Sequence, residues 1–177
     1  LYLFLDGARL GYGLAAPDND LTLPEIAALC DVFYIGGTKV GALFGEAVVI
    51  KNPELAQDFR YLIKQNGGML AKGRLLGLQF DALFTDGLYQ EISAHAIAMA
   101  EKLREAFTAK GYNYLAPNRT NQIFVIVPDA HLAKISEQFE YSYDQRIDAT
   151  HSCVRFCTSW ATKEENVDAL IRCVEKL

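Results

Sequence analysis

DVFYIGGTKV, residues 31–40, is the stretch of sequence that decides the fold. Its first half is dominated by apolar side chains, a pattern typical of a strand buried in a sheet. Two adjacent glycines, Gly36 and Gly37, then predict a turn. We therefore predict a strand over Asp31–Ile35 that leads directly into a turn carrying Thr38 and Lys39.

Strands and helices alternate on both sides of this stretch. Leu1–Leu5 is a continuous apolar run that ends at Asp6, which suits a strand buried on both faces of a parallel sheet. Pro24–Leu29 predicts a short helix with Thr22 as its cap, and Glu46–Ile50 predicts a third strand. Because strands alternate with helices, this part of the chain indicates an α/β sheet.

The remaining sequence predicts more helix, followed by a second group of strands. The expected helices lie at about Pro53–Lys64, Lys72–Phe84 and Asp86–Lys110. The expected order after Gly111 is strand Gln122–Val127, helix Ala130–Phe139, edge strand Tyr141–Ile147, strand Cys153–Thr158 and helix Lys163–Lys176, with Thr162 as a cap. This pattern indicates a small α+β layer in which helices cover one face of a mainly antiparallel sheet. We predict two domains, residues 1–85 and 86–177, the second beginning with the long linking helix.

Composition excludes several classes of function. The 177 residues are 51% hydrophobic, enough for a real core, and carry a formal net charge of -5. A nucleic acid or an anionic membrane would need a concentrated basic patch, which the sequence lacks. The most apolar run, Val40–Ile50, is broken by Glu46 and is too short to span a bilayer. We expect a soluble protein without nucleic-acid or membrane partners.

The cysteines and histidines predict neither disulfides nor a metal site. The four cysteines form no CxxC pair and lack the dense spacing of a disulfide-rich secreted domain. They fit small buried hydrophobic residues in a reduced, cytoplasmic protein. None of the three histidines stands at ligand spacing from a cysteine or from another histidine, so we expect no bound metal.

Two polar side chains follow the predicted strand at Leu1–Leu5, at the edge where open α/β sheets bind their ligands. A carboxylate at Asp6 can keep the ring nitrogen of a ligand protonated, and Arg9 follows in the same turn. A solvated ion pair in an ordinary turn explains these residues equally well. From the residues alone, both interpretations stay open.

Lys39 is the candidate nucleophile. Among glycines and apolar neighbours, desolvation disfavours the ammonium form of a lysine, so the free amine becomes available for attack. Gly36 and Gly41 have the spacing of a phosphate-binding P-loop, but Ala42 stands where that motif requires lysine, which excludes it. An ordinary turn remains the alternative for this segment.

Arg155 alternates with apolar residues in the predicted strand near Cys153–Cys157. A guanidinium that points inward can bind a substrate carboxylate through two parallel hydrogen bonds. The alternative is an arginine on the solvent face of a half-covered sheet.

Five segments together are similar to motifs of the threonine aldolase and β-eliminating lyase family of pyridoxal phosphate (PLP) enzymes. They are Leu3–Leu10 (LFLDGARL), Cys30–Ala42, Gln65–Met69 (QNGGM), Asn121–Val125 (NQIFV) and Val154–Thr158 (VRFCT). They occur in the family's order along nearly the whole chain. The resemblance implies the aspartate-aminotransferase fold, with the C-terminal part of a PLP-dependent transferase-like large α/β domain followed by a small α+β domain.

The resemblance also implies a role for each candidate residue. Lys39 is expected to bind the cofactor covalently and to move a proton, and Asp6 to keep the pyridine nitrogen protonated. Arg9 and Arg155 are expected to hold the carboxylate of the amino-acid substrate. Thr38 is expected to hydrogen-bond the cofactor phosphate.

The reaction implied by the resemblance is cleavage of a β-hydroxy-α-amino acid to glycine and an aldehyde. A β-eliminating or other PLP lyase and a non-catalytic truncated fragment are the alternatives. Family members place a phosphate-binding loop well upstream of the Asp6 motif, so we expect this chain to be the C-terminal half of the enzyme. The resemblance further implies a homodimer or homotetramer.

Overall fold

The structure is a computed structural model that describes residues 1–177. The strands are β1 Phe4–Leu5, β2 Val32–Gly36, β3 Glu46–Ile50, β4 Asn113–Tyr114, β5 Gln122–Pro128, β6 Ser142–Arg146 and β7 His151–Cys157. The helices are α1 Leu10–Leu14, α2 Leu23–Leu29, α3 Pro53–Ala56, α4 Phe59–Gln65, α5 Arg74–Phe84, α6 Leu88–Ala109, α7 Asp129–Ile135 and α8 Glu164–Glu175. None of these helices combines the length and the apolar character needed to cross a bilayer.

The chain divides into two compact units. The first contains residues 1–14 and 19–92, and the second contains residues 15–18 and 93–177. The division therefore falls inside helix α6, after Ile92. The domain boundary that the sequence indicates, between residues 85 and 86, stays a prediction.

The first unit contains a three-stranded sheet in the order β1-β2-β3. Strand β1 is parallel to β2, with Leu5 opposite Phe33. Strand β3 is antiparallel to β2, with Gly36 opposite Glu46. The outer edges of β1 and β3 pair with no further strand. The parallel β1–β2 pair brings the segments after Leu5 and Gly36 to the same end of the sheet.

Strands β2 and β3 confirm the sequence prediction, whereas the prediction of a fully buried strand at Leu1–Leu5 is wrong. Only Phe4 and Leu5 pair with β2, and Phe4 is 60% exposed. A strand is buried on both faces only when other elements cover both faces. The described residues provide β1 with a single neighbouring strand.

The helices of the first unit follow the predicted pattern with two differences. At the start of α2, the Glu25 carboxylate accepts a hydrogen bond from the Thr22 backbone N–H at 2.7 Å, as in a capping box. The helix predicted over Pro53–Lys64 is divided into α3 and α4, because Asp58 has a left-handed backbone with φ of 57°. The short helix α1 was not predicted.

The second unit contains a four-stranded sheet in the order β4-β5-β7-β6, with every neighbouring pair antiparallel. The sequence correctly placed β6 at an edge and missed the two-residue strand β4. Helices α6, α7 and α8 pack their apolar residues against one face of this sheet. The predicted α+β architecture is confirmed.

The core of the second unit follows from the alternation along β5. Ile123, Val125 and Val127 are fully buried, and the residues between them are only half-buried. Phe107 on α6 is also fully buried and lies with its ring centroid 5.3 Å from that of Phe156 on β7. The sheet and its three helices thus share one apolar core.

The predicted cap of the last helix is wrong. Helix α8 begins at Glu164, and the residue at its N-cap position is Lys163. The Thr162 hydroxyl instead accepts a hydrogen bond from the Ser159 backbone N–H at 2.8 Å. Because that hydroxyl closes the preceding turn, it does not cap the helix.

Candidate functional site

Asp6 lies just beyond the end of β1 and is exposed. Its carboxylate accepts hydrogen bonds from the Tyr34 hydroxyl and from the Ala8 backbone N–H, the latter at 3.0 Å. The Tyr34 hydrogen bond, followed by that from Ala8, lowers the pKa of Asp6 below its usual value. The same contact with Asp6 raises the pKa of Tyr34 to about 12. Asp6 is therefore held as an anion at this end of the sheet.

Lys39 lies in the turn that follows β2. Two backbone hydrogen bonds close the turn, from Val40 N–H at 2.9 Å and from Ala42 N–H at 3.0 Å, both to the Gly37 carbonyl. The Gly37 N–H donates to the Glu46 carboxylate on β3 at 3.1 Å. The prediction that Lys39 lies in apolar surroundings is wrong. Its side chain is exposed, and of its two neighbours in sequence only Val40 is fully buried.

The segments that follow β1 and β2 approach each other closely, because glycines, Gly7 and Gly36, lie at the point of contact. The Gly36 N–H donates to the Gly7 carbonyl at 2.9 Å. A methyl group on Gly36 would come within 2.5 Å of the Ala8 carbonyl oxygen, and one on Gly7 would overlap the Tyr34 carbonyl oxygen. Glycine is thus required where these two segments meet.

Asp6 and Lys39 interact electrostatically across this edge. The positive charge of Lys39 adds a smaller contribution to the lowered pKa of Asp6, after the two hydrogen bonds described above. Thr38, next to the lysine, is exposed, and Arg9, in the turn after Asp6, is half-buried. The first unit thus contains four of the five predicted site residues, and their roles stay predictions.

Arg155 is the predicted site residue that belongs to the second unit. It lies on β7 beside a pocket of about 380 Å³, lined also by Ser142, Cys157 and Thr158. One terminal nitrogen of its guanidinium donates to the Ser142 hydroxyl at 3.5 Å, and its Nε is buried without a hydrogen-bond partner. A buried, unpaired N–H on a cation is suited to binding an anion.

Three tyrosines that the sequence did not single out donate hydrogen bonds to the residues around Asp6 and Lys39. Tyr34 donates to Asp6, Tyr12 to the Lys39 carbonyl, and Tyr89 to the Gly36 carbonyl. Only Tyr34 had a sequence signal, because it lies in the strand predicted to end beside Asp6.

The structure contains no group of three or more histidine, cysteine or acidic side chains arranged to hold a metal ion. All four cysteines are free thiols.

Comparison with known proteins shows similarity along almost the whole chain. No protein-family profile matches it. It is 31% identical over 174 residues to the low-specificity L-threonine aldolase of Pseudomonas sp. (strain NCIMB 10558), which covers 96% of this chain and 49% of that protein. The solved structure of Leishmania major threonine aldolase matches with a TM-score of 0.97 and 43% identity, covering 99% of this chain and 52% of that one. The serine palmitoyltransferase of Sphingomonas wittichii matches with a TM-score of 0.67 and 16% identity, over 99% of this chain and 46% of that one.

These matches place the chain in one fold class. It is the fold of the solved threonine aldolase and serine palmitoyltransferase structures, as the sequence predicted. Within that class, the chain resembles the threonine aldolases in both sequence and structure. It spans about half the length of the relatives it matches.

Proposed function

We propose that this chain supplies the cofactor-binding lysine of a PLP-dependent lyase that cleaves β-hydroxy-α-amino acids to glycine and an aldehyde. The observation that carries the proposal is the pairing of two strand ends, which brings the Asp6 carboxylate and the Lys39 turn to one edge of the sheet. The similarity to threonine aldolases supports this reaction rather than another of the same class. Residues 1–85 would contribute the cofactor site, and residues 86–177 the smaller α+β domain.

The residues at this edge fit PLP. Asp6 has a lowered pKa, so it is an anion that can hold a pyridine nitrogen protonated. Gly7 and Gly36 place backbone, without side chains, at the meeting point of the two segments. Lys39 is exposed and offers a primary amine, and Thr38 offers a hydroxyl to a phosphate. When bound there, PLP supplies an electron sink for negative charge that develops at the α-carbon of the substrate.

Arg9 and Arg155 are the proposed ligands of the substrate carboxylate. The case for Arg155 is the stronger, because its buried Nε has no hydrogen-bond partner within the chain. A carboxylate can accept two parallel hydrogen bonds from a guanidinium, which fixes its orientation as well as its position. A fixed carboxylate would orient the substrate bond that breaks.

The proposed location, partners and assembly of the enzyme rest on its cysteines, its net charge and its exposed apolar side chains. Free cysteines support a cytoplasmic location, and the acidic net charge of -5 argues against nucleic acid as a partner. Apolar side chains that the first unit leaves exposed support assembly as a homodimer or homotetramer; they include Leu43, Tyr61, Leu62, Leu75 and Leu78.

The alternative function is that of a non-catalytic protein with this fold. Visible absorption of the purified chain with added PLP, followed by borohydride reduction and peptide mass analysis, separates the two functions. We expect PLP to become covalently attached to Lys39 and attachment to disappear in Lys39→Ala. Lys51→Ala is the matched control, because Lys51 is an exposed lysine of the same unit at the end of β3.

Absence of PLP at Lys39 would favour the non-catalytic alternative. For a chain that binds PLP, the products formed from threonine decide the reaction. Glycine and acetaldehyde support the aldol cleavage proposed here, whereas a keto acid and ammonia would show β-elimination instead.

A further inference from the structure

We infer that Tyr12 and Tyr89 are positioning residues that hold the backbone of the Lys39 turn through their hydroxyl groups. The inference rests on the proposed function of Lys39 and adds two residues that act through the backbone. Both tyrosine side chains belong to the most deeply buried residues of the first unit, each with 1% exposure. A buried tyrosine hydroxyl needs a hydrogen-bond partner, and both of these hydroxyls donate to backbone carbonyls of the Lys39 turn.

Tyr12 holds the end of the turn that carries the lysine. It lies on the short helix α1, which starts directly after the Asp6 segment. Its hydroxyl donates a hydrogen bond to the backbone carbonyl of Lys39 itself, at 2.5 Å. Helix α1 is in turn fixed to the end of β1, because the Leu10 N–H donates to the Gly7 carbonyl at 3.0 Å.

Tyr89 holds the start of the same turn. Its hydroxyl donates to the Gly36 carbonyl at 3.3 Å and accepts from the Gly11 N–H at 3.0 Å. Burial raises the pKa of Tyr89 to about 12, so the hydroxyl keeps its proton and remains a donor at neutral and mildly alkaline pH. Its ring stacks on Phe84 with centroids 5.0 Å apart, which fixes the position of the hydroxyl.

The two hydroxyls bind the two ends of the segment from Gly36 to Lys39, at the Gly36 and Lys39 carbonyls. Gly11 and Tyr12 are neighbours on α1, so this helix contacts Tyr89 and Lys39 simultaneously. Between these two carbonyls, the turn is closed by hydrogen bonds to the Gly37 carbonyl and is joined to β3 by the Gly37 N–H, which donates to the Glu46 carboxylate. A long, exposed lysine side chain has many rotamers, so holding its backbone limits the volume that its amine samples beside Asp6.

Amide hydrogen exchange of the 177-residue chain tests the inference without any cofactor. In Tyr12→Phe and in Tyr89→Phe we expect the amides of Val40 and Ala42 to exchange about two- to tenfold faster, the effect of losing one hydrogen bond. Tyr114→Phe is the matched control, because the Tyr114 hydroxyl donates to the Arg104 carbonyl at 2.7 Å in the second unit. It should leave exchange of Val40 and Ala42 unchanged.

Covalent attachment of PLP gives the second measurement. We expect the borohydride-trapped fraction at Lys39, at a subsaturating PLP concentration, to fall about two- to tenfold in Tyr12→Phe, with the thermal midpoint close to that of Tyr114→Phe. Unchanged exchange, or faster exchange with unchanged trapping, would overturn the inference. If the unmodified chain traps no PLP at Lys39, the proposed function fails, and the exchange measurement alone then decides whether the tyrosines hold the turn.

Discussion

Asp6 and Tyr34 form a hydrogen bond in which each residue changes the acidity of the other. The pKa of Asp6 falls and that of Tyr34 rises to about 12, because the protonated phenol donates a hydrogen bond to the ionised carboxylate. The pair joins the end of β1 to the middle of the parallel strand β2. Asp6 therefore stays an anion at lower pH than an isolated aspartate would.

Tyr34→Phe should raise the pKa of Asp6 toward its ordinary value of 3.8, since the larger of its two stabilising hydrogen bonds is lost. A group with a lowered folded pKa stabilises the fold above its unfolded pKa, and this stability is lost as pH falls through the folded pKa. The variant should thus gain less stability on going from pH 3 to pH 5. Carbon-13 NMR titration of Asp6 measures the shift.

The control for this titration is Tyr61→Phe, because Tyr61 is 74% exposed in the same unit. It should leave the titration of Asp6 unchanged. An unchanged Asp6 titration in Tyr34→Phe as well would contradict the assigned cause of the lowered pKa.

Gly36→Ala should destabilise the first unit by about 1–3 kcal/mol, the usual effect of overpacking. The new methyl group would come within 2.5 Å of the Ala8 carbonyl and 2.7 Å of the Gly7 carbonyl, which are backbone atoms with little freedom to move. Gly77→Ala on helix α5 is the control. Nothing lies within 4 Å of its added methyl group, so it should stabilise by about 0.5–1 kcal/mol. Urea unfolding that gave both variants the same sign would contradict this account.

The sequence could place Asp6 and Lys39 just beyond strand ends, because Asp6 directly follows an apolar run and Lys39 lies in the turn that begins with Gly36 and Gly37. It could not predict Tyr89, whose hydrogen bonds join residues 53 and 78 positions apart. Nor could it predict the exposure of Lys39, because burial depends on residues far away in sequence. Contacts of this kind follow from the tertiary fold and leave no local pattern.

Regular elements were predictable where apolar residues form a continuous run or recur at helical spacing. The apolar run 123–127 identified β5, and the roughly helical spacing of the apolar residues in α6 identified it as the longest helix. The residues at which helices and strands begin and end were less predictable, because a single hydrogen bond can determine where an element ends. Thr162 closes a turn instead of capping α8, and the left-handed Asp58 separates α3 from α4.

At the scale of helix α6, Phe107→Ala should destabilise the second unit by about 3–5 kcal/mol. The ring is fully buried between Phe156 and Tyr112, with centroid distances of 5.3 Å and 6.0 Å. Glu105→Ala, an exposed position of the same helix, should change stability by less than about 0.5 kcal/mol. Thermal unfolding followed by circular dichroism compares the two. Equal midpoints would show that α6 does not support this core.

At the scale of the whole molecule, the two units bury their apolar residues to different extents. The second unit has a continuous core shared by its sheet and three helices. In the first unit, α3 and α4 contain no buried residue. Segments with few buried contacts open locally at a small free-energy cost.

Limited trypsin digestion should therefore cut first at Lys64 or Lys72, in the exposed segment around α4. Lys134 is the internal comparison, because it is also exposed but lies on α7, which contributes Leu132 and Ile135 to the core. Mass spectrometry of early fragments reads the order of cleavage. A first cut at Lys134 would contradict the difference in local stability.

The outer edge of β1 has a consequence for how the chain behaves at high concentration. Its backbone N–H and C=O groups face no neighbouring strand, and the flanking residues 1–5 contain neither proline nor a charged side chain. Natural edge strands usually contain such residues, which prevent strands of separate molecules from pairing. When these 177 residues are isolated, we expect two copies to pair their sheets at the β1 edge, so their aggregation should increase steeply with concentration.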